Sequence, residues 1–300
     1  MKTVGVIGAG AVGQAVSTLL VNSPWCETVM ISSLHGRSAD GLVTDLEDMS
    51  LVSASPVRAH RADLAQMRSC DAIVVCPRAQ FTNTHTTDIR MAGLTANGAT
   101  IHRLARELAG FAGPVVVVTN PVDVMTRLYA EVSGCTRVWG IGSSTDTARY
   151  RLILARMVGV PAHAVDGHVI GEHGDRAVIC ASSTTIYGRP AHFPLHLVRE
   201  ELTARPGRIA AGIGRVRSGP AGATVAALAH VLGVTDGVVE LSAPRNGAYL
   251  GIPLRFNAGH PTVCLPPLDP AETQDLAAAE SKLNAAYDQL RSTLKETTSS

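Results

Sequence analysis

The strongest constraint on this chain sits at its start. Gly8-x-Gly10-x-x-Gly13 follows directly on the short apolar run Thr3–Ile7 and opens an amphipathic stretch that Asn22-Ser-Pro24 closes. A strand that turns sharply into a helix needs the backbone freedom of Gly8. Gly10 lets main chain come close to a pyrophosphate, and Gly13 lets helix and strand pack tightly. The free N–H groups at the start of such a helix, here those of Ala11, Val12 and Gly13, favour phosphate oxygens. The triplet alone is often only a turn; between strand and helix it predicts a dinucleotide site.

The pattern continues as alternating strands and helices. Further strands are expected at Thr28–Ser32, Val57–Ala59, Ala72–Cys76 and Val115–Thr119, with helices at Asp40–Met49 and Thr95–Leu108. Such alternation predicts a parallel sheet covered on both faces. The second half reads differently: a helix at Thr145–Val158, a His- and Gly-rich loop at Gly167–Asp175, a helix at Pro220–Leu232, short strands through Leu265, and a final helix with an apolar stripe. The expected fold is α/β, a Rossmann doubly wound parallel sheet over residues 1–142 followed by an α+β catalytic domain over 143–300.

Composition bounds the partners. With 26 basic and 25 acidic residues the formal charge is +1, so no field gathers nucleic acid or an anionic membrane. No apolar run approaches a membrane span. The six cysteines are scattered, which suits thiols in a reducing cytoplasm and gives no metal-ligand spacing. The expectation is a cytoplasmic protein without metal, membrane or nucleic-acid partner.

The end of the second strand addresses cofactor choice. A carboxylate there ordinarily binds the ribose 2′-hydroxyl. This strand instead ends in Ser32-Ser33, with His35 and Arg37 close behind. Hydroxyls and a guanidinium would accept a 2′-phosphate that a carboxylate would repel, so NADP(H) is favoured, with NAD(H) possible.

Three further segments carry chemistry. Thr119-Asn120-Pro121-Val-Asp123 follows a buried strand, at the edge where open α/β sheets bind ligands. Thr145-Asp146-Thr-Ala-Arg149 opens a helix with Asp146 and Arg149 on one face, and Gly171-Glu-His173-Gly-Asp175 sets a histidine between glycines. In this order, and with Gly251-Ile-Pro253 and the final helix, these motifs closely resemble the L-lactate/malate dehydrogenase family over essentially the whole chain. The resemblance implies hydride transfer between NAD(P)H and a small 2-keto/L-2-hydroxy acid, in a homodimer or homotetramer. It makes His173 the general acid in reduction and base in oxidation, Asp146 its partner, and Arg149 the clamp on the substrate carboxylate. Asn120 would position nicotinamide and substrate, with a cis bond before Pro121. The arginine that polarises the carbonyl falls on Arg90, counted from the position matching the family's helix asparagine, Asn97.

The chain departs from the family after its third main strand. The turn reads Cys76-Pro77-Arg78, and the segment Ala79–Ile89 is longer than the common loop. A malate enzyme carries a second loop arginine where this chain has Thr84; Arg78 could reach the substrate only by the loop folding back, or could lie near the cofactor phosphates. The polar run Gln80–Thr87 offers no certain cation. The loop length is similar to that of the L-2-hydroxyisocaproate dehydrogenases, and Ser218–Ala223 lines the opposite wall with small residues. Both lead to a 2-keto acid bulkier than pyruvate. The alternatives are malate dehydrogenase, a catalytically silent nucleotide-binding relative, and a metal-dependent glycosidase. The last needs Cys and His ligands, and His168 and His173 have no cysteine paired with them.

Overall fold

The computed structural model describes residues 1–82 and 88–298. Its first half alternates strand and helix in the order β1 (Lys2–Ile7), α1 (Ala11–Val21), β2 (Cys26–Ser32), α2 (Gly36–Val52), β3 (Arg58–Arg61), β4 (Ala72–Val75), α3 (Leu94–Glu107), β5 (Val115–Val117), α4 (Val122–Ser133) and β6 (Val138–Gly140). These strands pair in parallel in the order β3-β2-β1-β4-β5-β6. The two inner strands β4 and β5 are buried at every position, as expected of strands covered by helices on both faces. Strand order reverses between β1 and β4, and the crevice beyond their carboxyl ends is where this topology binds ligands.

The second half comprises α5 (Ser143–Val158), β7 (Val165–Asp166), β8 (Val169–Gly171), β9 (Ala177–Ile179), β10 (Thr185–Ile186), β11 (Arg189–Pro190), α6 (Leu195–Ile213), α7 (Ser218–Val231), β12 (Gly237–Arg245), β13 (Ala248–Asn257), β14 (His260–Val263) and α8 (Pro270–Thr298). Strand β12 joins the parallel sheet through a single bridge, Ser242 to Gly140, and β13, β8 and β9 extend it antiparallel. The fold is therefore the doubly wound sheet with an α+β continuation. Its main core runs the length of this sheet, and a smaller cluster packs around Tyr150, Ile153 and Val198 between α5 and α6. No helix among the described residues is long and apolar enough to cross a membrane.

Several elements differ from the reading of the sequence. The strand expected at Val57–Ala59 runs over Arg58–Arg61, and the segment Gly167–Asp175, expected as a loop, contains β8. The short strands near the C-terminus are two long ones, β12 and β13, joined at Asn246-Gly247 with φ of 47° and 78°. Positive φ at both central residues is the turn that matches strand twist, and Asn-Gly is its strongest sequence signal. Helix α6 escaped notice because only Val198 in it is buried and Pro206 interrupts its pattern. Helix α4 is the opposite case: it is buried on nearly all sides, with a narrow polar edge at Arg127 and Glu131.

Candidate active site

The glycine turn closes the amino end of α1 against the end of β4. Gly8 sits at φ 120°, and a Cβ there would lie 2.8 Å from the Pro77 nitrogen. A Cβ on Gly13 would lie 1.7 Å from the Gly8 carbonyl oxygen, so only glycine permits this approach of helix to strand. A Cβ on Gly10 would meet nothing within 4 Å, and the N-cap of α1 has no side chain bonded to its first N–H groups. An open, donor-rich helix start at the switch point of the sheet fits a dinucleotide pyrophosphate. The Cys76 thiol donates to the Gly8 carbonyl at 3.5 Å, and burial pushes it up to about 12, so it is a packing group.

Around the neighbouring strand ends, side chains tie loop to loop. The Asn120–Pro121 bond is cis, as the resemblance implied. Buried Asn97 on α3 donates from Nδ2 to the Asn120 carbonyl at 2.8 Å and accepts the Ala79 N–H at 2.8 Å. Thr119 donates to the Pro77 carbonyl at 2.6 Å. Neither Asn97 nor Thr119 was among the expected site residues; their signal lay only in their motifs.

The catalytic candidates converge on one carboxylate. His173 Nδ1 lies 2.5 Å from Asp146 Oδ2, while Arg149 Nη1 donates to Asp146 Oδ1 at 3.2 Å. Arg90 Nη2 approaches the same oxygen at 3.9 Å. Asp146 stands in the first turn of α5, where the helix dipole favours an anion. Its neighbour Gly142 is required by packing: a Cβ there would lie 2.6 Å from the His173 Cβ. From the other side, Asp123 accepts the His173 backbone N–H at 2.8 Å and so fixes the loop that carries the imidazole.

Burial and charge set the protonation states. Burial works against the Asp146 carboxylate, but His173, Arg90 and Arg149 outweigh it and hold the group at about 2. Burial and the Arg90 charge draw His173 below its ordinary value, and Asp146 offsets them only in part. Asp123 is pushed up to about 7 by burial, against the hydrogen bond from the His173 N–H. Burial also lowers Arg149; Asp146 opposes this, and Arg90 and then Arg205 on α6 add to it. Two guanidinium groups, Arg90 and Arg149, thus act on one carboxylate, and a third, Arg205, acts on Arg149. A buried excess of positive charge is a place for an anion. Arg205 had no signal in the sequence, because α6 itself had none.

Other expected residues stand apart from this cluster. The Arg78 guanidinium lies over the Phe81 ring, 4.4 Å from its centroid, and the side chain is exposed. Among the described residues it makes no ion pair with the catalytic group. Thr84 and the rest of 83–87 lie outside the described residues. Ser32 and Ser33 are half-buried at the end of β2, and Arg37 is exposed in the first turn of α2. Arg61 at the end of β3 joins them: a Cβ on Gly36 would lie 2.9 Å from its Nη2, and Asp40 pairs with it at 3.1 Å. His168 is held by Glu240 at 2.6 Å. No group of three or more His, Cys, Asp or Glu suited to a metal occurs among the described residues.

A glycine turn at the switch point of a β3-β2-β1-β4-β5-β6 sheet, extended by an antiparallel second half, is the fold of the two-lobed nicotinamide-dependent dehydrogenases. Residues 2–141 match the model of the lactate/malate dehydrogenase NAD-binding domain. An L-lactate dehydrogenase of Treponema denticola is 34% identical over 192 residues, 63% of this chain and 60% of that protein. The match thus spans about three fifths of that relative's length. An L-lactate dehydrogenase of Lactobacillus delbrueckii subsp. bulgaricus is 28% identical over 95% of this chain and 98% of its own. Among solved structures, a lactate dehydrogenase from a deep-sea metagenome library superposes with a TM-score of 0.89 at 22% identity, over 97% of this chain and 99% of the other. The malate dehydrogenase of Cryptosporidium parvum does so with 0.88 at 22%, over 97% and 99%. The first half of the chain thus matches the NAD-binding domain of the lactate/malate dehydrogenases, and the chain is similar to L-lactate dehydrogenases in sequence and to lactate and malate dehydrogenases in fold.

Proposed function

We propose that the protein is an NAD(P)-dependent L-2-hydroxy acid dehydrogenase, with residues 1–142 carrying the dinucleotide and 143–300 most of the substrate site. The observation that carries this reading is the buried His173–Asp146 pair, with Arg149 and Arg90 at the same carboxylate. The reduced nicotinamide, when bound, supplies the hydride. The chain's own residues do the rest. Asp146 accepts the Nδ1 proton of His173, which leaves Nε2 to give a proton to the nascent alkoxide and to take it back in the reverse direction. Arg149 presents a planar fork to the substrate carboxylate. Arg90 stands where a carbonyl oxygen gaining negative charge needs a cation. Asn120 orients both partners from the cis-proline turn.

For cofactor choice, the reading is NADP(H). Its support is Ser32-Ser33 in place of a carboxylate, with Arg37 and Arg61 beside the first turn of α2. The expected result is a kcat/KM for NADPH at least about tenfold above that for NADH, a difference of roughly 1.4 kcal/mol. An NADH preference would reject it.

For the substrate, the reading is a 2-keto acid bulkier than pyruvate, neutral or weakly polar at its tail. The start of α7 supports it: a Cβ on Gly219 would lie 3.7 Å from Thr145 Cγ2, and one on Gly222 would meet nothing within 4 Å. A wall this small leaves room for a larger side chain. A panel of 2-keto acids is expected to rank branched-chain and aromatic members above pyruvate. Oxaloacetate preferred by more than roughly a hundredfold would refute the reading, since a hydrophobic contact alone supplies less discrimination.

A further inference from the structure

One ammonium group touches both walls of the site from outside it. Lys282, on α8, lies 2.7 Å from Asp88 Oδ2 and 2.8 Å from Glu172 Oε1. Asp88 stands just ahead of Arg90, and its carbonyl accepts the Met91 N–H at 2.9 Å, closing the turn that presents Arg90. Its own N–H donates to Asp175 Oδ2 at 3.0 Å, on the far side of the His173 loop. Glu172 immediately precedes His173, is 2% exposed, and also accepts the Arg176 N–H at 2.9 Å. Arg90 and His173 come from segments distant in sequence, yet both must face one substrate carbonyl. The cluster joins the two segments directly behind these side chains.

The ammonium suits this task. It carries three donors on a flexible stem, so it can serve two carboxylates that need not lie in one plane. The cluster is only partly exposed, with Lys282 at 26% and Asp88 at 28%, so its charges are screened less than those of a surface pair. Asp88 holds a φ of 48°, a region that non-glycine residues adopt at a cost unless their surroundings hold them there. The ion pair and the hydrogen bond to Asp175 are those surroundings.

We propose that Lys282 is a positioning residue for catalysis, which through Asp88 and Glu172 holds Arg90 and His173 in register across the substrate site. This rests on the dehydrogenase reading above. Lys282→Met would strand the buried Glu172 charge and endanger the fold, so the test falls on Asp88. Asn is its near-isostere and tolerates the left-handed backbone, so Asp88→Asn removes the charge and little else. Wild type, D88N and K282R are compared.

In D88N, kcat/KM for the best keto acid should fall roughly tenfold, or ~1.4 kcal/mol in the barrier. The Kd for reduced nicotinamide should be unchanged, and the primary isotope effect with the C4-deuterated cofactor should rise as the chemical step slows. K282R, which keeps a cation between the two carboxylates, should retain more activity than D88N. Amide hydrogen exchange across residues 88–93 should quicken in D88N, a readout that needs no turnover. A D88N protein with wild-type kcat/KM, isotope effect and exchange overturns the proposal, as does a fall in Tm with kinetics unchanged. If wild type turns over no keto acid, the dehydrogenase reading fails by itself, and the exchange rates still show whether Asp88 tethers its segment; exchange unchanged there overturns the tether too.

Discussion

His173→Asn should lower kcat for keto-acid reduction by about a thousandfold, within the ~10²–10⁴ that a positioned acid–base group contributes. Asn keeps a polar side chain beside Asp146 but cannot donate a proton to a forming alkoxide. Its Kd for reduced nicotinamide should stay at the wild-type value, because the glycine turn and the end of β2 are untouched. The pH profile gives the sharper signature. In the proposed mechanism reduction requires His173 protonated, so wild-type kcat/KM should be highest at low pH and decline as pH rises through the imidazole pKa. Burial and the Arg90 charge place that pKa below the ordinary histidine value. The asparagine variant should lose this limb altogether. Measuring kcat/KM against pH for both proteins decides it; a wild-type-like decline in the variant would show that some other group is the acid.

Arg90→Gln should reduce kcat by roughly 10²–10³, the cost of losing one donor aimed at developing negative charge. Substrate KM should change less, since Arg149, the proposed carboxylate clamp, is kept. The same substitution should move the pH limb the opposite way from any loss of Asp146. Arg90 opposes the protonated form of His173, so removing its charge raises the imidazole pKa and shifts the decline in reduction to higher pH. A variant with lower kcat and an alkaline-shifted limb fits Arg90 in the site. One with a raised KM alone would place Arg90 in ground-state binding instead.

How far the sequence could be read follows from physics. The doubly wound half was legible because β4 and β5 are continuous apolar runs and the glycine triplet marks a turn only glycine can make. Asp146, Arg149 and His173 were legible as motifs, and they meet around one carboxylate although α5 and the loop after β8 are apart in sequence. What escaped reading depended on tertiary contact. Arg205 acts on Arg149 from α6, a helix without an apolar stripe. Arg61 approaches Gly36 because β3 pairs with β2, a neighbour relation the local sequence does not state. Lys282 had no signal in the sequence, because its two carboxylate partners lie on distant loops. Arg78 was the reverse case: a charge conspicuous at an odd turn, which in the fold lies over Phe81.

Under the proposed function, this site directs a hydride to the carbonyl carbon of a 2-keto acid. The most direct measurement incubates the protein with C4-deuterated NADPH or NADH and a panel of keto acids, and reads the product by mass spectrometry and chiral chromatography. The expected product is an L-2-hydroxy acid carrying deuterium at C2, formed by wild type and almost absent with His173→Asn. Product without deuterium, or no product from any keto acid with either cofactor, would contradict it.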